Sequence, residues 1–326
     1  MSEIKGLKKI ILRIKCIQKY GFGYLSAKIA AKIGIVLKKS AKEYMYDYYS
    51  KINYNNYREE LKFWYEITTW KTLNLDTPQT FNEKLQWLKI YDNTKNKTML
   101  ADKYAVRNWV QEKIGSQYLI DLLGVWNSFE EIDFNKLPQS FVLKCNHGSG
   151  MNVVVKDKNK IDVRELKGKF DKWMNTDFAA FNMEPQYYGI KRKIIAESYL
   201  TNNGDDLYDY KFWCNNGKCD FIMFLSERKE GLKMANFDRE WNLLSFVYDH
   251  EKCDSVVEKP DNLQQMIELA EILANGFYHV RVDFYRLNDG TLKFGEMTFT
   301  SMSGIQKWIP KEADNYVGKL IQLPLN

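Results

Sequence analysis

Two short apolar runs joined by a glycine loop constrain the fold of this 326-residue chain more than any other stretch: Phe141-Val-Leu-Lys144-Cys-Asn-His147-Gly148-Ser149-Gly150-Met-Asn-Val-Val-Val155. The β-branched and aromatic residues on each side favour extended backbone, and the loop between them favours a sharp reversal. Lys144 ends the first run, so its ammonium is fixed at the mouth of the loop. Glycines let backbone N–H groups approach an anion with no Cβ in the way. Two readings follow: a loop that cradles a phosphate, or an ordinary glycine hairpin. A Walker A loop is excluded. No G-x-x-x-x-G-K-[ST] is present, and nothing after Gly150 reads as a helix.

The order of elements predicts the α+β class. Thr80-Phe-Asn-Glu83 is a capping box that opens a helix carrying Leu85, Trp87, Leu88 and Ile90. A second helix is expected from Asp102 to a stop at Gly115. From Phe141 onward the chain turns strand-rich, with apolar runs at 141–145, 151–155, 194–200, 208–214 and 219–226. Leu263 to Ala274 reads as a helix ending at Gly276. Strands at 279–287 and 291–297 follow, separated by the turn signal Asn288-Asp289-Gly290. Helices first and strands later disfavour a doubly wound sheet.

Charge and cysteine usage narrow the function classes. Ten Lys/Arg against Glu3 give residues 1–40 a charge of +9, and the whole chain carries +6, which leaves −3 for the rest. A globally basic nucleic-acid binder is not expected. Within the basic end, Ile4, Leu7, Ile11, Ile14 and Ile17 recur at helical spacing, and the stretch from Leu25 to Leu37 repeats that character. Lysines interrupt the apolar residues too often for a signal peptide or a spanning helix. Either an interfacial helix on anionic lipid or a terminal helix packed on its own protein fits. The run from Glu43 to Tyr57 reads as a helix or linker joining this end to the body. Five scattered cysteines (Cys16, Cys145, Cys214, Cys219, Cys253) without C-x-x-C spacing, beside three histidines, suit reduced thiols in a cytosolic protein rather than a zinc site.

The titratable residues of the strands form a pattern. Arg281 and Asp283 are two apart and share one face of a strand, while Val280, Val282 and Phe284 share the other. Glu296 returns on the neighbouring strand, near Asp283. Such a set suits a hard divalent cation with nucleotide phosphates, or, more plainly, a surface ion pair. Glu197 stands inside the apolar run Ile194-Ile-Ala-Glu-Ser-Tyr199-Leu200 and needs partners: ribose hydroxyls, an adenine amine, or a lysine such as Lys211. Asp209 shares a strand face with Lys211.

Taken in order, these texts resemble the ATP-grasp superfamily, and within it the TupA-like branch named for teichuronopeptide synthesis. The likeness runs from about residue 60 to 320. It rests on Thr80-Phe-Asn-Glu-Lys84, Asp102-Lys-Tyr-Ala-Val-Arg107, Lys144-x-x-His-Gly-Ser-Gly150, Asp209-Tyr-Lys-Phe212, Arg281-Val-Asp283 and Gly295-Glu-Met-Thr298. The resemblance implies ATP and Mg²⁺, with the nucleotide held between two α+β subdomains behind a basic helical N-terminal segment. Lys103 and Lys144 would contact phosphates under a mobile flap of His147, Gly148, Ser149 and Gly150. Glu197, Tyr199 and Leu200 would form the adenine and ribose hinge. Lys211 would reach the γ-phosphate, and Asp283, Glu296 and Thr298 would hold the metal. Arg281, with backbone at Ser303 and Gly304, would stabilise the acyl-phosphate and tetrahedral states. Thr298 departs from the Asn that many ATP-grasp ligases carry there, and a hydroxyl is the weaker ligand. Ser301, Ser303, Lys307 and Trp308 are placed at the entry of a carboxylate substrate.

The implied activity is an ADP-forming carboxylate–amine ligase of bacterial surface polysaccharide synthesis, cytoplasmic or at the inner face of the membrane. The implied partners are a carboxylate substrate and an amine, with residues 1–40 available for peripheral membrane attachment. The implied segments are 1–55 (basic helical), 56–120 (first part of the core), 121–200 (lid with the flap) and 201–326 (core with the metal site). A glycosyltransferase, which would need a D-x-D after a nucleotide-binding strand, and an inactive glycan- or membrane-binding scaffold are the alternatives.

Overall fold

A computed structural model describes residues 2–52, 54–202, 207–226, 233–248, 251–252 and 257–325; Cys253 and the side chains of Ile4 and Leu7 lie outside the described set. The chain divides into two compact units, Met1–Leu73 with Asp177–Pro185, and Asn74–Thr176 with Gln186–Asn326.

The first unit is helical: α1 (Ser2–Tyr20), α2 (Phe22–Lys32), α3 (Ala41–Tyr49), α4 (Tyr57–Thr69) and a single turn over Phe178–Phe181. Ser40 and Glu43 form a reciprocal capping box that starts α3, so the run beginning at Glu43 opens as helix. Leu61, Trp64, Tyr65 and Ile67 of α4 supply the core, and the hydroxyls of Tyr20 and Tyr49 meet at 2.6 Å inside it. The helix expected from the isoleucine spacing is present. Its packed stripe, however, is Leu12, Cys16 and Tyr20, one residue every fourth position, while Ile11 and Ile14 are 46% and 51% exposed. Of the isoleucine repeat of α1, Ile11 and Ile14 thus face outward and Ile17 is half-buried.

The second unit opens with α5 (Phe81–Tyr91), α6 (Lys95–Ala101) and α7 (Val106–Lys113). The Thr80–Glu83 capping box forms as the sequence predicts. The helix expected from Asp102 begins only at Val106. Asp102 Oδ1 takes the N–H groups of Tyr104 and Ala105, which turns the backbone and leaves Lys103 ahead of the helix. Strands β1 (Leu122–Trp126), β2 (Phe141–Cys145) and β3 (Asn152–Val155) follow, then α8 (Val163–Met174) and β4 (Ile194–Ser198). They assemble an antiparallel sheet in the order β1-β4-β2-β3. The expected Lys144 hairpin is its β2–β3 edge, with Lys144 opposite Asn152.

A larger sheet is built from β5 (Tyr208–Asn215), β6 (Lys218–Ser226), β7 (Lys233–Phe237), β9 (Glu251–Lys252), β10 (His279–Arg286) and β11 (Leu292–Thr298), in the order β11-β10-β5-β6-β7-β9. A two-residue strand β8 (Val247–Tyr248) pairs with β12 (Trp308–Ile309). α9 (Leu263–Ala274) covers one face of the sheet, where Phe212, Cys214, Val280, Val282 and Phe284 are buried together with Met266 and Ala270. Strand alternation sends Asp209, Lys211, Trp213, His279, Arg281 and Asp283 to the opposite face. Towards Trp213 that face is aromatic core with Phe81, Phe246 and Trp308; towards Asp209 it is charged. α10 (Ala313–Leu320) packs against α5.

The first unit runs to residue 73 and also takes in 177–185. The four-stranded sheet falls within 121–200 and the six-stranded sheet within 201–326.

Candidate active site

The charged end of the six-stranded sheet converges on one nitrogen. Arg281 Nη2 donates to Asp283 Oδ2 at 2.7 Å, to Glu296 Oε1 at 3.0 Å and to Thr298 Oγ1 at 3.1 Å. Its Nε holds the other Asp283 oxygen at 2.7 Å. The β10–β11 register explains the convergence. Arg281 lies opposite Thr298, and Glu296, two residues before Thr298, shares its face by strand alternation; the register shifts only between Val282 and Phe284. Gly295 permits this, since a Cβ there would lie 3.1 Å from the Asp283 carbonyl oxygen and 3.3 Å from its Cβ. The ion pair exists, but it is buried, with Asp283 2% exposed. A surface strand pair is the wrong description.

Cations and carboxylates alternate outward from this point. Lys211, directly across from Asp283 on β5, donates to Asp283 Oδ2 at 2.5 Å and sits 2.8 Å from Asp209 Oδ2. Lys103 stands 3.6 Å from Glu296 Oε2 and donates to the Gly148 carbonyl at 2.6 Å, so one lysine links the glycine loop to the carboxylate cluster. Burial works to raise the Glu296 carboxyl, but Lys103, Arg281 and Lys211 outweigh it and hold the group at about 2. Burial raises Asp283 above the ordinary carboxyl value against the pull of Arg281 and Lys211. For Lys211, burial opposes the charge, yet Asp209 and Asp283 outweigh it and the ammonium is strengthened.

A second cluster occupies the four-stranded sheet. Glu197 Oε2 accepts from Lys144 Nζ at 2.5 Å, and Oε1 accepts from Arg107 Nη1 at 3.0 Å. Arg107 also donates to the Ile120 carbonyl. The partner of Glu197 is therefore Lys144 with Arg107, not Lys211, because Lys211 lies on the other sheet among its own aspartates. Each carboxylate oxygen of Glu197 thus holds one cation in this structure. Tyr199 and Leu200 follow it, both half-buried.

The loop 147–150 shows two different ends. His147 is buried, its Nε2 3.1 Å from the Trp173 carbonyl oxygen, and burial lowers its pKa. The imidazole shapes the base of the loop instead of facing a phosphate. Ser149 and Gly150 are exposed, and Gly150 adopts φ +72° with open space where a Cβ would stand. Asn146 anchors the loop: its amide donates to Asp102 Oδ1 and the Lys191 carbonyl, and its Oδ1 accepts from Lys193 N. Nothing local to Asn146 marks it as an anchor. Arg107 was visible only as the last residue of the Asp102–Arg107 text.

The segment after β11 departs most from expectation. Ser303 N–H donates to the Thr300 carbonyl at 2.8 Å, so it is used inside the turn and does not point at a reacting oxygen. The Ser303 and Gly304 carbonyls are held by Gln86 and Lys89 of α5. Gly304 has φ +67°, and a Cβ there would meet Gln86 Nε2 at 2.4 Å and Leu85 Cβ at 2.9 Å, so this glycine allows close packing. Trp308 is core, 5% exposed, and Lys307 is exposed. Ser301 Oγ and both side-chain polar atoms of Gln306 are buried with no hydrogen-bond partner among the described residues. Buried polar atoms of that kind are costly unless something satisfies them, and Gln306 is a residue the sequence reading missed.

The donor set suits a hard cation. Two carboxylates and a hydroxyl are oxygen ligands of the type Mg²⁺ takes, but the guanidinium of Arg281 fills the point between them, and among the described residues no group of three or more His, Cys, Asp or Glu is placed to hold a metal. Glu296, with its side chain 31% exposed, is far more accessible than Asp283 at 3%. Beside them Lys103 and Lys211 carry positive charge, as Lys144 and Arg107 do at Glu197 on the four-stranded sheet.

A family model described as TupA-like ATPgrasp matches residues 83–322. No curated protein matches the sequence. Among solved structures, N5-carboxyaminoimidazole synthetase from Staphylococcus aureus in complex with ADP is 12% identical, covering 68% of this chain and 52% of its own, with a TM-score of 0.39. D-alanine–D-alanine ligase from Bacillus anthracis in complex with ATP is 17% identical over 67% of this chain and 61% of its own, TM-score 0.38. The ATP-grasp ligase PsnB with a minimal precursor is 10% identical over 67% and 59%, TM-score 0.36. This chain thus spans roughly half to three-fifths of the length of these proteins. At such scores no residue role transfers from them.

Proposed function

Because the chain belongs to the TupA-like ATP-grasp family, we propose that it is an ATP-dependent ligase that joins a carboxylate to an amine and releases ADP and phosphate. The observation that carries this reading is the convergence of Asp283, Glu296 and Thr298 on the single nitrogen Arg281 Nη2, with Lys103 and Lys211 on either side. Asp283, Glu296 and Thr298 would hold Mg²⁺ once the Arg281 guanidinium moves off the point between them; bound there, the ion would offset charge on phosphate oxygens.

The chain's own residues have defined tasks. Lys144, set by Glu197, and Lys103, set by the Gly148 carbonyl, neutralise the phosphates of ATP. Ser149 and Gly150 cover them. An oxygen of the acceptor carboxylate attacks the γ-phosphorus in line, forming an acyl phosphate, and ADP departs. Lys211 accompanies the transferred phosphoryl group, and Arg281 balances charge on its oxygens. The amine nitrogen then attacks the acyl carbon, loses a proton, and phosphate leaves. Closure of the loop keeps water from the acyl phosphate. Ser301 Oγ and the Gln306 amide, buried without partners, are suited to receive the acceptor.

Within the family's reading the acceptor is a uronic-acid carboxylate of a surface polysaccharide, and the amine is an amino acid or related compound. Lipid-linked or polymeric glycans sit at a membrane face, and residues 1–40 are the part of the chain suited to bring the enzyme there.

Titration calorimetry of wild type and Glu296→Gln tests the nucleotide site, with Mg²⁺ and either ATP or a UDP-sugar. Mg²⁺-dependent ATP binding that weakens at least about tenfold in the variant is expected. Preference for the UDP-sugar would move the reading to a glycosyltransferase, and no nucleotide binding would leave a scaffold.

A further inference from the structure

The N-terminal unit exposes apolar surface that its own core does not use. Ile10, Ile11 and Ile14 of α1 are each about half exposed, opposite the packed stripe of Leu12, Cys16 and Tyr20. In α2 the buried residues are Tyr24, Ala27 and Ala30, while Phe22 is 75% and Ile29 53% exposed. The segment after α2, Ile33-Gly-Ile-Val-Leu37, is exposed throughout, Val36 at 95%. Scattered exposed apolar residues are ordinary, but nine large ones within 28 positions are not.

Charge identifies what covers them. Residues 9–40 contain eight Lys/Arg and no Asp or Glu. Lys9, Arg13, Lys15, Lys32 and Lys38 are exposed among the isoleucines. A second copy of the chain would set like charge against like charge. A nucleic acid would meet cations but would leave the isoleucines in water. A bilayer with anionic headgroups satisfies both, since apolar side chains enter the acyl boundary while lysines stay at the phosphates. No described helix is long and apolar enough to cross a membrane, so the contact lies in the surface plane.

We propose that the outer stripes of α1 and α2, with the Ile33–Leu37 segment, dock this protein on an anionic lipid surface. The proposal rests on the membrane placement of residues 1–40 given above and not on the ligase chemistry, so vesicle binding and nucleotide binding can fail separately.

Vesicle flotation of the full chain tests it. Wild type should float with phosphatidylcholine–phosphatidylglycerol vesicles, bind pure phosphatidylcholine far less, and lose binding as salt rises. Ile10→Ser, Ile11→Ser and Ile14→Ser together should lower partitioning at least about tenfold with melting unchanged, because the positions are exposed. Lys9→Gln, Arg13→Gln and Lys15→Gln, which cannot open the core, should abolish the preference for anionic vesicles. Wild type that stays with the unbound fraction, or serine and glutamine variants that both float like wild type, would overturn the proposal. So would a wild-type dimer in sedimentation that the serine variant converts to monomer, because the face would then belong to a second copy.

Discussion

Lys144 Nζ stands 2.5 Å from Glu197 Oε2, and the other oxygen of that carboxylate is held by Arg107 at 3.0 Å. The β2–β4 register produces this pair. Val142 lies opposite Glu197 and Lys144 opposite Ile195, so lysine and glutamate are diagonal neighbours on one face. Two cations on one carboxylate leave an excess positive charge beside the glycine loop, which is what a phosphate-binding wall requires. Glu197 fixes where that charge sits.

Glu197→Gln should leave two partly buried cations without their anion. Breaking such an arrangement costs about 3 kcal/mol, the low end of the range because the side chains of Lys144 and Arg107 remain 17% and 15% exposed. Urea denaturation checks it. A midpoint equal to wild type would mean that the two cations find water at no cost.

Arg281→Lys keeps the charge and removes the fork. A single ammonium cannot reach Asp283, Glu296 and Thr298 together with the second Asp283 oxygen, as the guanidinium does. The variant should fold and lose about a hundredfold or more in ADP release when assayed with uronic acids and amines. Turnover near the wild-type rate would remove Arg281 from the reacting centre.

Much of this site was legible because strand alternation is a rigid rule. Arg281 and Asp283 had to share a face opposite Val280, Val282 and Phe284, and they do. The glycine hairpin and the Thr80 capping box are local devices, so their residues declare them. What stayed hidden depends on pairing between distant segments. The bulge between Val282 and Phe284, the Arg107 reach to Glu197 across ninety positions, and the grip of Gln86 and Lys89 on Ser303 have no local signature. The isoleucines of α1 leave two readings open for a related reason: periodicity marks an apolar face but not which neighbour covers it.

Acid should weaken the fold through a residue outside the reacting cluster. Burial, with Lys97 and Arg281 adding to it, lowers His279 to about 3, and its Nδ1 lies 2.7 Å from Asn215 Oδ1. The folded imidazole stays neutral, whereas the unfolded one takes a proton below its ordinary value of 6.5. Stability is therefore complete above 6.5 and falls as the pH drops from there towards 3, by about 1.4 kcal/mol per pH unit. His147, also lowered by burial, acts in the same direction. Melting curves across roughly pH 7 to 4 should show the slope, reduced in His279→Gln. An equal slope in the variant would assign the effect to carboxylates.

The last dependence runs from a helix crossing to the substrate-side loop. A Cβ on Gly318 of α10 would lie 2.3 Å from the Gln79 carbonyl oxygen and 2.7 Å from Phe81 N, both backbone atoms that cannot swing aside. One turn earlier, Asp314 Oδ1 takes the N–H of Asn82 at 3.0 Å, and its Oδ2 takes the Asn82 amide, so α10 also caps α5. The far end of α5 carries Gln86 and Lys89, which hold the carbonyls of Ser303 and Gly304. Gly318→Ala must therefore push α10 off α5 or shift α5 itself. Overpacking of this kind costs about 2–3 kcal/mol, and the shift should also weaken acceptor use more than nucleotide binding, because Lys103, Lys144 and Lys211 are not attached to α5. Urea denaturation reads the first effect, and comparison of ATP affinity with ADP release reads the second. A variant as stable and as active as wild type would mean that the two helices slide freely, and that the Ser303 turn is not set from α5.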